Sequence, residues 1–237
     1  RERFESTLTD ALEKAKQQCR YAEAAQQAQR MLDLTRQKNE ITPFMGYRPY
    51  AVYDMDWEKK RMEGLLAKTD GTAGDLIAVM PAGAKFRTDP HDDGIHERWQ
   101  APEFDDSRWE TFTTTKGWQD QGLRDEHGRP YEGLAWYRMK VTVPPDAEVE
   151  RARLLCPAVI DEVWVWVNGR YAGHRPYKSP WFRPHVMDMD VGGMLVPGRE
   201  NQITLRVFCN RDCFGANGVY ERMFLYAKRE AEEPAAE

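Results

Sequence analysis

Hydrolysis of a glycosidic bond needs two carboxyl groups facing each other across it at roughly 5 to 9.5 Å. Glu132, Asp161, Glu162 and Glu221 offer carboxylates in number, but their positions along the chain do not pair them. An acidic residue on a sandwich edge is ordinarily a solvated charge or an arginine partner, so no residue is assigned a catalytic role. Acyl transfer through serine would need an exposed nucleophile with a base in reach, and Ser6, Ser107 and Ser179 all lie outside any GxSxG turn. Sugar recognition has different requirements: flat aromatic faces against C–H patches, with Arg, Asp, Asn or His making directional hydrogen bonds to hydroxyls. Three segments combine these types. Trp118 lies in the polar stretch Lys116 to His127. His174, Arg175, Tyr177 and Trp181 fall in one segment with Pro176 and Pro180, read as a loop. Arg211, Asp212 and Phe214 lie between Asn210 and Asn217 in a second polar loop. Each such loop reads either as a ligand contact or as a loop packed by its own aromatics.

No cofactor is implied. Cys19, Cys156, Cys209 and Cys213 show neither CxxC pairing nor histidine at zinc spacing, and they read as core thiols. Asp105-Asp106-Ser107 could ligate calcium through oxygen, yet such residues before Trp109 read as a turn bonded to its own backbone.

The elements that position these residues follow from length and pattern. The 237 residues suffice for one large all-β domain, or a medium domain with a helical attachment. Thirty-four basic residues against 39 acidic give net −5 without a long basic run, which removes the footprint of a nucleic-acid or anionic-membrane binder. No run approaches the roughly 18 to 20 apolar residues of a spanning helix. The chain opens on Arg1 inside a helical pattern, which suggests a piece of a longer protein with a domain upstream. Localisation is then not readable from these residues.

Phe4, Leu8, Leu12, Ala15, Cys19 and Ala22 recur at steps of four or three, and Ala11 to Gln37 favours helix throughout. A single helix of about 35 residues is expected, stopped by Pro43. A shorter helix, capped by Asp54, should run through Trp57, Met62 and Leu66. Thr69 to Gly74 is the linker candidate, so residues 1–70 form a helical segment, 75–229 a β-sandwich and 230–237 a disordered tail. Leu76 to Met80, Trp136 to Val143, Val163 to Val167 and Ile203 to Phe208 read as strands. Val163-Trp164-Val165-Trp166-Val167 sets three valines on one face and two tryptophans on the other; Asn168-Gly169 supplies the positive φ pair of a type I′ hairpin.

Gly133-Leu134-Ala135-Trp136-Tyr137-Arg138, then Val163 to Gly169 with Gly173-His174, then Pro180-Trp181-Phe182 leading to Asp188 and Asp190, then Gly198 to Val207 follow in characteristic order. Together they resemble the sugar-binding domain of family 2 glycoside hydrolases over about residues 85 to 228. Lys85 to Pro90 and Phe104 to Trp109 look like the opening of such modules in bacterial polysaccharide-degrading enzymes. The resemblance implies a galactose-binding-domain-like jelly roll, catalytic acids on a separate (β/α)-barrel, and a secreted or periplasmic setting. It implies a non-catalytic accessory domain that binds carbohydrate or completes an active site, with a carbohydrate and the upstream catalytic domain as partners. A structural interdomain or oligomerisation module is the alternative, and a complete hydrolase the weaker one.

Overall fold

The computed structural model describes residues 2–41, 48–178, 185–210 and 217–229, with side chains at 2–5, 39–41, 48–53 and 178 excepted. Among the described residues the chain is mainly β, with two antiparallel sheets and three α-helices. It divides into a helical unit up to Asp75 and a β unit over Leu76–Arg229. The tail expected at 230–237 lies outside the described residues.

In place of one long helix there are two, α1 (Glu2–Gln17) and α2 (Tyr21–Ile41), followed by α3 (Arg48–Ala67). The break is a Schellman turn: Cys19 takes φ +54°, its N–H donates to Lys16 O at 3.0 Å, and the Arg20 N–H donates to Ala15 O at 2.9 Å. Leu8, Leu12 and Ala15 are buried as the stripe requires, but after the break the buried positions become Tyr21, Ala24, Ala28 and Leu32. Ala22 is exposed. Helix α3 begins well before Asp54, which therefore lies within the helix and does not cap it. Lys16 on α1 meets Glu58 on α3 at 3.2 Å, and Arg61 grips the same carboxylate at 2.9 and 3.0 Å.

The β unit has a four-stranded sheet in the order β1-β10-β5-β8 and a six-stranded sheet in the order β3-β2-β4-β9-β6-β7. The strands are β1 (Gly74–Val79), β2 (Gly83–Thr88), β3 (Glu110–Thr113), β4 (Gly133–Thr142), β5 (Ala152–Cys156), β6 (Asp161–Val167), β7 (Arg170–Lys178), β8 (Met187–Asp190), β9 (Glu200–Cys209) and β10 (Phe224–Lys228). The four expected strands correspond to β1, β4, β6 and β9. Alternation along the large sheet turns Tyr137, Met139, Val163, Val165, Leu205 and Val207 into one core with Leu154, Cys156 and Leu225 of the smaller sheet. The opposite face carries Trp136, Arg138, Trp164, Trp166 and Arg206.

Asn168 and Gly169 have φ of +50° and +77° and close the two-residue β6–β7 hairpin. The Asn168 amide donates to Asn201 Oδ1 at 2.8 Å and to Met194 O at 3.0 Å, and its own oxygen accepts the Gln202 N–H. Asn201 is fully buried and uses its whole amide in these and in bonds to the backbone of Val196 and Arg199. Both residues thus hold the loop ahead of β9 rather than a ligand.

Candidate functional site

The outer face of the six-stranded sheet is where chemistry-bearing side chains converge. Half of it is roofed by the segment between β2 and β3. Asp89, buried, accepts the N–H groups of Asp93 and Gly94 at 2.8 and 3.1 Å and the indole N–H of Trp136 at 2.8 Å. Arg138, also buried, pairs with Asp106 at 2.8 Å and donates to the carbonyls of Trp99, Ala101 and Phe104. These two anchors press Trp99, with Trp109 packed against it, onto Trp136, whose ring stacks on Trp166 at 5.3 Å between centroids. Asp105 Oδ1 accepts the Ser107 N–H at 3.0 Å, so Asp105–Ser107 form the expected turn; that bond holds the Asp105 carboxyl below its ordinary range.

The rest of the outer face lies on β9, β6 and β7. Trp164 stands between its cross-strand neighbours, Arg206 on β9 and His174 on β7. The guanidinium lies over the indole at 4.5 Å, and the imidazole stacks on it at 4.6 Å and 12°. Because β6 runs between the other two strands, these groups take opposite faces of the indole, which leaves no open face for a sugar ring. The outer groups are tied in turn: Arg206 pairs with Asp92, and His174 Nε2 lies 2.7 Å from Glu162 Oε1. At the edge, Tyr171 leans on Trp166 at 5.5 Å and is 53% exposed.

The structure distributes the sequence-predicted sugar contacts unevenly. Trp118 is a correction: it is fully buried, its backbone N–H bonds Asn217 O at 2.9 Å, and its indole N–H donates to the Tyr137 hydroxyl. Its polar neighbours in the chain reach solvent, while the ring packs on Phe86 and Tyr131 as core. His174, Arg175 and Tyr177 lie on β7 and not in a loop, a second correction. An edge strand needs ladder bonds on one side only and so accommodates Pro176, which reads as a breaker in sequence. His174 joins the outer-face ladder. Arg175 faces inward opposite Val163; its Nη2 donates to Val159 O at 3.0 Å, while Nε and Nη1 are buried without a hydrogen-bond partner among the described residues. Burial lowers its pKa, against the raising charges of Cys156 and Asp161. Tyr177 is 46% exposed. Trp181, Arg211, Asp212 and Phe214 lie outside the described residues, as does Cys213.

The carboxylates have separate surroundings. Asp161 is buried and accepts the Asn210 N–H at 2.8 Å, Glu162 holds His174, Glu221 is buried, and Glu132 is exposed. Cys19, Cys156 and Cys209 are buried; burial pushes Cys156 up to about 12, so it stays protonated and packs as a small hydrophobe. Sequence reasoning passed over Tyr171, Arg206 and Asp92. The first was within reach, because the two-residue Asn168-Gly169 turn sets Trp166 opposite Tyr171.

No protein-family model matches the chain. A β-glucuronidase of Paenibacillus borealis is 29% identical to it over 131 residues, 52% of this chain and 19% of that enzyme. Over that stretch the chain is similar to part of a glycoside hydrolase. Its fold is also that of part of the β-glucuronidase of Ruminococcus gnavus: the D-glucuronic acid complex matches with TM-score 0.53 and 15% identity over 67% of this chain. The uronic isofagomine complex gives 0.55 at the same identity. The chain spans about a fifth of the curated relative's length and under a third of these structures.

Proposed function

We propose that the β unit is a galactose-binding-domain-like jelly roll serving as a non-catalytic carbohydrate-binding or active-site-completing accessory domain of a larger glycoside hydrolase. The observation that carries this reading is the extent of the likeness: 29% identity to a β-glucuronidase, confined to 19% of that enzyme. The surroundings of the acidic residues agree with it. Glu162 is engaged with His174, and Asp161 is buried against the backbone of Asn210. A carbohydrate and a catalytic domain are the partners of such a module.

A second reading, a structural interdomain module, is favoured by the tryptophans: Trp99, Trp109, Trp118, Trp136 and Trp166 are all buried. A glycan array on the 237-residue chain, run beside hydrolysis of 4-nitrophenyl β-glucuronide, β-glucoside and β-galactoside, tests both. Retention of a glycan without turnover is the expected result. A silent array favours the structural module, and turnover lost on substitution of one carboxylate overturns the accessory role.

A further inference from the structure

An aromatic series crosses the outer face of the large sheet and ends at solvent. Trp109, Trp99, Trp136 and Trp166 follow one another at centroid separations of 5.1, 5.9 and 5.3 Å, and Tyr171 closes the series at 5.5 Å. The four indoles are buried, whereas Tyr171 is 53% exposed. Its inner edge is backed by Trp166, so the ring is held in place before any contact is made, and little side-chain freedom remains to be lost on binding. Next along the same face, His174 and Glu162 form their 2.7 Å pair. Trp166 and Trp164, which oppose Tyr171 and His174, are two residues apart on β6, which sets the pair about 7 Å along the sheet from the tyrosine.

We infer that Tyr171 is a stacking platform for a neutral sugar ring whose hydroxyls are met by Glu162 and His174; the inference rests on the carbohydrate-binding reading above. Size selects the occupant. Among the described residues the other exposed large hydrophobics are Leu76, Ile95 and Val196, which belong to other elements, and Tyr177, which lies on β7 at the register shift that pairs Asp161 with Lys178. A lone backed ring beside polar groups is smaller than the roughly 800 Å² a protein partner covers. It matches the apolar C–H face of one pyranose. Charge selects within the sugars. The Glu162 carboxylate accepts hydroxyl protons, and it repels a sugar carboxylate, while the nearby cation Arg206 is already paired with Asp92 on the far side of Trp164. The platform therefore takes a neutral pyranose in preference to a uronate.

The test is a calorimetric titration of the 237-residue chain with neutral tetrasaccharides of β-linked glucose, galactose, mannose and xylose, and with tetragalacturonate as the acidic counterpart. Tyr171→Ala should weaken the neutral ligand about tenfold or more, with the melting temperature unchanged because the ring is half exposed. Tyr171→Phe should bind as wild type. Glu162→Gln should weaken the neutral ligand and narrow the gap to tetragalacturonate. Equal affinity of Tyr171→Ala and wild type for a bound neutral sugar overturns this platform while leaving the carbohydrate reading intact. Tighter wild-type binding of tetragalacturonate overturns the sugar class, and no binding of any probe overturns both.

Discussion

Replacing Arg138 by methionine keeps most of the apolar stem and removes every donor, so it isolates what the guanidinium does for the segment roofing the outer face. Arg138 is 2% exposed; it ties Asp106 at 2.8 Å and Ala101 O at 3.0 Å, with further bonds to the carbonyls of Trp99 and Phe104. A hydrogen bond to a charged group contributes roughly 1.5–3 kcal/mol, but four bonds from one side chain do not add. Removing one partner of a buried ion pair costs roughly 3–5 kcal/mol. Asp106 retains a quarter of its side-chain exposure and can rehydrate, which places Arg138→Met near the lower end, at about 3 kcal/mol. Urea unfolding should show the midpoint falling with an unchanged slope. The native tryptophan emission should shift to the red as Trp99 and Trp109 lose cover. Arg138→Lys should fall between, since an ammonium keeps the charge but not the fork geometry. A loss below about 1 kcal/mol with unchanged emission would mean that the aromatic stack alone holds the segment and that the reasoning from the guanidinium is wrong.

Gly169→Val should destabilise by roughly 1–3 kcal/mol in urea, since a β-branched residue resists φ +77° and its Cβ would meet Pro102 Cδ at 2.8 Å. Gly94→Ala, whose Cβ would lie 2.6–2.7 Å from the Trp136 and Trp99 rings, should cost a similar amount and show in near-ultraviolet dichroism. Trp118→Ala should cost roughly 3–5 kcal/mol in thermal melts while leaving glycan affinity per folded molecule unchanged. Burial pushes the Glu58 carboxyl up, but the Arg61 hydrogen bonds and the Lys16 charge outweigh it and hold it below its ordinary 4.5. A folded pKa below the unfolded one gives stability that is complete above about 4.5 and lost as pH falls through the folded value. Glu58→Gln should therefore flatten the acid limb of helix stability followed by far-ultraviolet dichroism in urea.

The β6–β7 hairpin separates what short-range pattern specifies from what it leaves open. Alternating valine and tryptophan fixes which residues of β6 enter the core, because successive side chains on a strand point to opposite faces. Asn168-Gly169 fixes the turn, because both residues tolerate positive φ. From that turn an unbulged ladder would set Gly173 opposite Trp164. The register shift at Val165/Trp166 brings His174 there instead, and with it the imidazole stack and the Glu162 pair. A bulge inserts one residue wherever sheet twist and edge packing favour it, and no local propensity marks the place. Pro176 and Gly173 similarly disguise β7 as a loop, because tolerance of a proline depends on the strand being at an edge.

The helices and Trp118 repeat the contrast. Ala11 to Gln37 is rich in helix formers, so the sequence by itself determines that the chain is helical on either side of Cys19 and that α1 carries an apolar stripe. The Schellman break at Cys19, and the resulting transfer of burial from Ala22 to Tyr21 and Ala24, depends on α2 lying against both α1 and α3. Trp118 has polar neighbours on both sides, and contacts with Phe86, Tyr131, Tyr137 and Asn217, far away in the chain or on other elements, bury it. Sequence alone thus determined the strand faces, the hairpin turn and the helical segment, each set by interactions within a few residues. Tertiary structure decided which aromatics reach solvent and which charged groups meet, because those depend on register and layering between residues far apart in the chain.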